Sequence, residues 1–421
     1  MKILYISQYF PPEMGAPAAR AVELSRHWAS AGHEVTVLTG FPNHPTGIVP
    51  PEYRGRLKRL VSREQIDGVQ VVRTWLLPFP NRKAYERILN YGSFFASSAS
   101  TGSFLSRPDV VIATSPQLLI GLSGWWVARL KGVPFVFEVR DLWPESLAAV
   151  GMGNENSLLY KTLARVARFL YRHSDRVVVV SPAFEDYLVE HGVVPRDKIS
   201  VIENGVETQL FAPSVGVLKI VMETEGRFVV SYIGTMGMAH GLETILAAAA
   251  KLQNQNREVL FVLLGAGAEK EKIIVLARQR GLNNVRFVDQ QPRENIPAYI
   301  GASDVCLVLL KKSEVFKTVI PTKMLEFMSC ARPVILGVDG QARAILERAH
   351  GGLAVEPENV DALVDAIQYL AANRDEALQM GRNGREYILR EFSRSQTAKA
   401  YIRVLEKLLH LPEREEAEVA A

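Results

Sequence analysis

Residues 316–335 read FKTVIPTKMLEFMSCARPVI, and the order of chemistries in that stretch points to the kind of molecule this is. Pro321 and Thr322 open an apolar helix carrying Lys323 and Glu326, and Arg332-Pro333-Val334-Ile335 starts a buried strand. A helix start leaves backbone N–H groups without intrahelical acceptors and carries the positive end of the helix dipole. The N–H groups of Thr322, Lys323 and Met324 are therefore candidates for holding a diphosphate, with Lys323 adding a full charge. Glu326, one turn further on, sits where a carboxylate accepts paired hydrogen bonds from the vicinal hydroxyls of a ribose. Phosphate and ribose together mean a nucleotide. The same residues also fit an ordinary capped helix with Leu325, Phe327 and Met328 in a core.

The chain has 421 residues, 48% of them hydrophobic and 22% charged. That is a soluble globular composition, too long for one ordinary core, so two domains are expected. Cys306 and Cys330 are the only cysteines. They offer neither a disulfide framework nor metal spacing, which suits a reducing cytosol. The opening Met1–Ser7 reads as a short strand rather than a signal peptide. The net charge of +4 is small, but bases concentrate between Arg54 and Arg107, a zone suited to phosphate-bearing partners or anionic lipid rather than to nucleic acid. Within it, the uncharged run Ile88 to Ser106 reads either as a segment lying in a membrane interface or as a buried helix with basic ends.

Apolar strand-like runs alternate with helical patterns along the chain, which predicts an α/β protein with parallel sheets. One series of strands spans Lys2–Ser7 to Ile199–Ile202 and a second spans Phe228–Ile233 to Pro333–Leu336, giving two doubly wound units. The linker is placed at Glu203 to Thr224, where Asn204-Gly205 and Pro213 punctuate the pattern. The expected organisation is an acceptor-binding domain over 1–205, a nucleotide-sugar domain over 206–393, a helix over 394–410 returning to the first domain, and an acidic tail over 411–421. Two such domains facing a cleft would present the carboxyl ends of both sheets to one ligand. Glycines mark the loops after the strands: Gly15 in the first domain, then Gly234 and Gly237, then Gly265 and Gly267 in the second. Lys270 stands where a dinucleotide fingerprint would have its third glycine.

Together these motifs resemble the retaining glycosyltransferases of family 4, which have the GT-B fold, two Rossmann-like doubly wound domains. The resemblance runs from Phe10-Pro11-Pro12 and Gly32-His33-Glu34-Val35-Thr36-Val37-Leu38-Thr39 through Val201-Ile202-Glu203-Asn204-Gly205-Val206 to Glu326 and Arg332-Pro333-Val334. Phe41-Pro42-Asn43, Arg140-Asp141-Leu142-Trp143-Pro144-Glu145 and Phe316 to Lys323 look most like the branch that adds acetamido or deoxy sugars to lipid-linked O-antigen or capsule precursors, typified by fucosamine transferases. Two positions depart from the family. Thr318 stands where many members have a second, sugar-contacting glutamate, and Arg140 where many have a histidine. The family's Arg and Lys after the first strand of the second domain are also missing, leaving His240 there and the charge role to Lys323.

The resemblance implies transfer of a sugar from a nucleotide-diphosphate donor, UDP-linked, to a saccharide on a polyprenyl diphosphate at the cytoplasmic face of the inner membrane. Breaking the anomeric bond builds negative charge on the diphosphate, so donors fixed there stabilise the transition state. Lys323 and the helix start would supply this, with Arg140 or His240 assisting, and Asp141 and Glu138 would orient an acceptor hydroxyl or the sugar. Neither an Asp-x-Asp loop nor clustered histidines are present, so no metal or other cofactor is expected. Two alternatives share the architecture: a nucleotide-sugar epimerase, and a non-catalytic nucleotide-sugar-binding protein.

Overall fold

The computed structural model describes residues 1–44, 46–80, 83–146, 156–214, 224 and 226–411. They form two compact units, one of the described residues within 1–148, 153–203 and 395–421, the other of those within 204–394.

The first unit is built on β1 (Lys2–Ile6), α1 (Ala16–Ser30), β2 (Glu34–Gly40), α2 (Pro51–Leu57), β3 (Val61–Ile66), β4 (Val69–Thr74), α3 (Ala84–Phe104), β5 (Val110–Thr114), α4 (Leu118–Lys131), β6 (Phe135–Val139), α5 (Leu158–His173), β7 (Arg176–Val179), α6 (Pro182–Glu190) and β8 (Ile199–Val201). Its eight strands run in the order β3-β4-β2-β1-β5-β6-β7-β8, parallel except for the β3–β4 pair. Central strands such as β5 and β6 are buried along their whole length, which is why they read as unbroken apolar runs. Helices start where a side chain replaces the missing acceptor: Ser157 takes the N–H of Tyr160 ahead of α5, and Ser181 that of Phe184 ahead of α6. The sequence reading missed β3, an edge strand of polar alternation. Its signal was Asp67-Gly68, both at positive φ, the turn of a tight hairpin.

The second unit holds β9 (Phe228–Ile233), α7 (Leu242–Gln255), β10 (Val259–Leu264), α8 (Lys270–Gln279), β11 (Val285–Val288), α9 (Ile296–Gly301), β12 (Val305–Leu309), α10 (Thr322–Ser329), β13 (Val334–Gly337), α11 (Gln341–Ala349), β14 (Gly352–Ala354), α12 (Val360–Ala372) and α13 (Arg374–Glu391). Its six strands are all parallel, ordered β11-β10-β9-β12-β13-β14. In each sheet the order reverses beside the first strand, between β1 and β5 and between β9 and β12. Loops at those carboxyl edges are where such sheets receive ligands.

The last helix, α14 (Arg394–Leu408), places Ala398, Tyr401 and Leu405 in the core of the first unit beside Tyr5, Leu24 and Trp28. The Trp28 indole donates to the Ala398 carbonyl at 3.2 Å, and its ring meets that of Tyr401 edge-on with centroids 5.1 Å apart. The expected tail over 411–421 falls outside the described residues apart from Leu411.

The uncharged run after Arg87 is a packed helix. Asn90, Phe94 and Ser98 of α3 are buried, while Tyr85, Ile88, Leu89 and Phe104 stand exposed. The basic zone is also partly spent: Arg73 is wholly buried on Glu64, which also takes Arg56, and Arg107 donates to the carbonyls of Lys131 and Gly132. Arg82 lies outside the described residues. Among the described residues no helix is long and apolar enough to cross a membrane.

Candidate functional site

In the second unit, Pro321 precedes α10 in an extended conformation, with no side-chain cap on the helix. The N–H of Met324 donates to the Pro321 carbonyl at 3.0 Å. Met324 is therefore spent on the first turn and is corrected out of the diphosphate-holding set, which leaves Thr322 and Lys323. Lys323 is held by aromatic and glycine neighbours. Its ammonium donates to the Tyr232 hydroxyl at 3.0 Å and lies 4.3 Å from the ring centroid. A Cβ on Gly234 would come within 2.9 Å of the Lys323 Nζ, so the glycine makes room for the cation. Burial pushes the Lys323 amine down to about 8, against the upward pull of Glu326. The Tyr232 hydroxyl donates to the Thr235 carbonyl, fixing the acceptor lone pair that Lys323 uses. No charge pattern signalled Tyr232, which reads as one more apolar strand residue.

The Glu326 Oε1 accepts from Arg293 Nη1 at 2.9 Å. Arg293 is itself seated over the Phe211 ring at 4.8 Å. The carboxylate is thus oriented by a partner that sequence reasoning missed, because 33 residues separate the pair. Thr318 closes its own turn by donating to the Val315 carbonyl at 2.6 Å. A hydroxyl there is a weaker acceptor than a carboxylate.

His240 ends a single 3₁₀ turn, Met238–His240. Burial, with the Lys323 charge added, pushes its ring down to about 3 despite a backbone hydrogen bond with Leu309. The expectation of a cationic helper at His240 is therefore corrected: the ring is neutral near pH 7, with a buried Nδ1 that has no protein partner. Gly265 and Gly267 have a packing explanation. A Cβ on Gly265 would sit 1.9 Å from the Gly234 carbonyl oxygen, and one on Gly267 2.3 Å from that of Met236. These loops dock on each other, with Met236 N–H donating to the Ala266 carbonyl at 2.9 Å. Gly237 has no such crowding.

In the first unit, Glu138 is fully buried on β6. Its Oε1 accepts from Arg20 at 2.8 Å and its Oε2 from the Tyr5 hydroxyl at 2.7 Å. Arg20 also donates to the carbonyls of Ile202 and Glu203. Burial alone would raise the Glu138 carboxyl, but Arg20 and Arg140 outweigh it and hold the carboxyl below its ordinary value. Glu138 is corrected from acceptor-orienting residue to anchor of an internal network, since both oxygens are occupied away from solvent. Arg140 and Asp141 leave the same strand at its carboxyl edge. The Arg140 N–H donates to Ser115 Oγ at 2.7 Å and its Nη2 to the Ala16 carbonyl at 3.1 Å, one residue past Gly15. Its Nε and Nη1 are buried without a protein partner. Burial raises Asp141 to about 6, with Arg140 pulling the other way.

The sequence reading also passed over Glu13, two residues before Gly15. Its Oε1 accepts the N–H groups of Asn43 and His44, both at 2.9 Å, while Oε2 is buried and unpartnered. Burial lifts it to about 7. A glutamate after Pro11-Pro12, in the loop beside the strand-order reversal, was the available signal. Among the described residues no group of three or more His, Cys, Asp or Glu is placed to hold a metal ion.

Each unit matches a known domain: residues 15–205 the glycosyl transferase 4-like domain, and residues 219–387 the glycosyl transferases group 1 domain. The chain carries the two domains of a glycosyltransferase. This glycosyltransferase is 25% identical over 382 residues to the putative colanic acid biosynthesis glycosyl transferase WcaI of Escherichia coli (strain K12), covering 87% of the chain and 91% of the relative. It is 27% identical over 248 residues to the probable glycosyltransferase WbjE of Pseudomonas aeruginosa, covering 57% and 60%. In fold it is similar to sucrose-phosphate synthase from Thermosynechococcus elongatus, with a TM-score of 0.77 and 23% identity over 97% of this chain and 99% of that one. Anabaena HepE in complex with UDP-glucose superposes at a TM-score of 0.72 with 16% identity over 97% and 100%. The lipopolysaccharide glycosyltransferase WaaG does so at 0.67 with 16% identity over 95% and 99%. The fold is GT-B.

Proposed function

We propose that this glycosyltransferase moves an acetamido or deoxy hexose, with retention, from a UDP-linked donor to a lipid-linked saccharide in surface polysaccharide synthesis. The observation that carries the reading is Lys323, pressed between Tyr232 and Gly234 at the uncapped start of α10, with Glu326 one turn on. A diphosphate there meets a fixed cation and helix-start N–H groups, and the leaving charge is stabilised without metal. Arg140 and Asp141 are assigned to the acceptor. In a retaining transfer on the leaving-group face, the departing phosphate oxygen takes the acceptor's proton, so no enzymic nucleophile is needed. Support for the pathway comes from the colanic acid and WaaG relatives, and support for the base from the neighbour solved with UDP-glucose. Exposed Tyr85, Ile88 and Leu89 of α3, beside Lys83 and Arg87, suit an anionic inner-membrane surface on the cytoplasmic side. The test is transfer by purified protein from a panel of nucleotide sugars to a lipid-linked saccharide, with the anomeric configuration read by NMR. Inversion, interconversion of donors without acceptor, or binding without turnover would each replace the reading.

The pH profile follows from the two shifted groups. Lys323 loses its charge as pH rises through about 8, and Asp141 its charge as pH falls through about 6. The profile of kcat/KM, which reports the free enzyme, should be a bell between those limits. Bound diphosphate restores the Lys323 proton, so kcat should persist to higher pH, and Lys323→Met should abolish the alkaline limb of kcat/KM.

Glu326→Gln should weaken nucleotide binding by about 1.5–3 kcal/mol, the worth of a charged hydrogen bond. Calorimetry with ribo- and 2′-deoxynucleotides checks the assignment directly. The wild type should prefer the ribonucleotide and the variant should not, so an equal preference in both would remove Glu326 from the ribose.

A further inference from the structure

Helix α5 carries a basic ridge. Lys161, Arg165, Arg168 and Arg172 recur at spacings of four, three and four residues, which places them on one face, and all four are exposed. Several exposed bases elsewhere are matched: Arg196 by Glu185 and Asp186, Lys272 by Glu243 and Glu269, Arg343 by Asp339 and Glu347. Among the described residues, none of the four α5 side chains has a hydrogen bond or ion pair with protein.

Two of them, Arg168 and Arg172, line a cavity of about 410 Å³ between α5 and α6. Its other walls include Trp143, Glu145, Tyr187 and His191. The Tyr187 and His191 rings are stacked 4.1 Å apart, giving a preset aromatic surface. Trp143 and Glu145 of the lining follow Asp141 by two and four residues in the chain. At the other end of α5, Leu158 and Leu159 are 77% and 56% exposed, about 15 Å from Arg168 by helical rise.

We propose that this cavity holds the diphosphate of a lipid-linked acceptor, an assignment that rests on the transferase reading above. Arg168 and Arg172, one turn apart, take the phosphate oxygens as charge-assisted donors. Among the described residues, Glu145 is the one carboxylate of the lining. It can accept a hydrogen bond from a sugar hydroxyl carried beside the phosphate. Trp143 and the Tyr187–His191 stack receive the apolar face of that sugar. The lipid chain leaves along the basic ridge toward Leu158 and Leu159.

The test uses full-length Arg168→Gln/Arg172→Gln. Its KM for a farnesyl-diphosphate-linked saccharide in detergent should rise at least tenfold. KM for the same saccharide free of lipid and phosphate, and the rate of donor hydrolysis, should stay at wild-type values. Lys161→Gln/Arg165→Gln, on the ridge but outside the cavity, should shift KM less than twofold. Equal shifts in the two double variants, or a shift for the free saccharide as well, would overturn the assignment. An independent readout is calorimetry with inorganic pyrophosphate in a Lys323→Met background, which silences the nucleotide site. Binding should vanish in Arg168→Gln/Arg172→Gln, and retained binding overturns the proposal. Competition by phosphatidylglycerol vesicles as effective as by pyrophosphate would assign the ridge to bulk lipid headgroups instead. If wild type glycosylates neither acceptor, the transferase reading fails, and the pyrophosphate titration alone decides the cavity.

Discussion

Lys323→Met is expected to lower kcat about 10²–10³-fold without unfolding the protein. Removing one preorganised donor from developing charge typically costs about 2.7–4 kcal/mol of transition-state stabilisation. The substitution keeps an unbranched chain against the Tyr232 ring and beside Gly234, so the packing that seats α10 survives. Stability moves the other way from activity. A lysine held down to about 8 is one whose charged form is disfavoured by the fold, and an apolar replacement relieves that penalty at neutral pH. The melting temperature should hold or rise while turnover collapses. A kcat within threefold of wild type would take Lys323 out of the chemistry and leave it a packing residue.

The second large effect is on stability. Arg20→Met should destabilise the first unit by about 3–5 kcal/mol, the usual result of leaving one charge of a buried pair uncompensated. Glu138 would then keep only the Tyr5 hydroxyl, and the carbonyls of Ile202 and Glu203 would lose their donor. Arg20→Met/Glu138→Gln should recover much of the loss, because the stranded charge is gone. The measurement is unusually clean here. The five tryptophans, Trp28, Trp75, Trp125, Trp126 and Trp143, all belong to the first unit, so intrinsic fluorescence during a denaturant titration reports that unit alone. A double variant no more stable than Arg20→Met would show that the residues act separately.

The sheets were legible because parallel strands covered on both faces leave unbroken runs such as Phe228–Ile233 and Val259–Leu264. The edge strand β3 was not, since one covered face and a charged sequence leave only its Asp67-Gly68 turn as a mark. At the site, Lys323 and Glu326 stood out because helix position and charge coincide within one turn. Their supports, Tyr232 and Arg293, come from distant elements and carry no local pattern. Glu138 misled for the same reason. Adjacency to Arg140 along a strand suggested a shared site, yet the two side chains serve different places, one spent inside on Arg20 and Tyr5, the other at the edge. The basic zone misled in degree: counting charges could not reveal that Arg73 is internal.

The placement of α14 bears on how the molecule is made. Because residues 204–394 stand between Glu203 and Ser395 in the chain, the first unit is discontinuous in sequence and the second is, in effect, inserted into it. Domains generally fold as units in the order the ribosome delivers them. Here the earliest strands wait for the latest helix: Trp28 and Tyr5 lack their cover of Ala398, Tyr401 and Leu405 until nearly the whole polypeptide has emerged. Nascent chains arrested before Arg394 should expose that apolar seam to a protease or a chaperone while the inserted unit is already resistant. A premature stop near the carboxyl end would therefore unmake the half of the protein that was translated first.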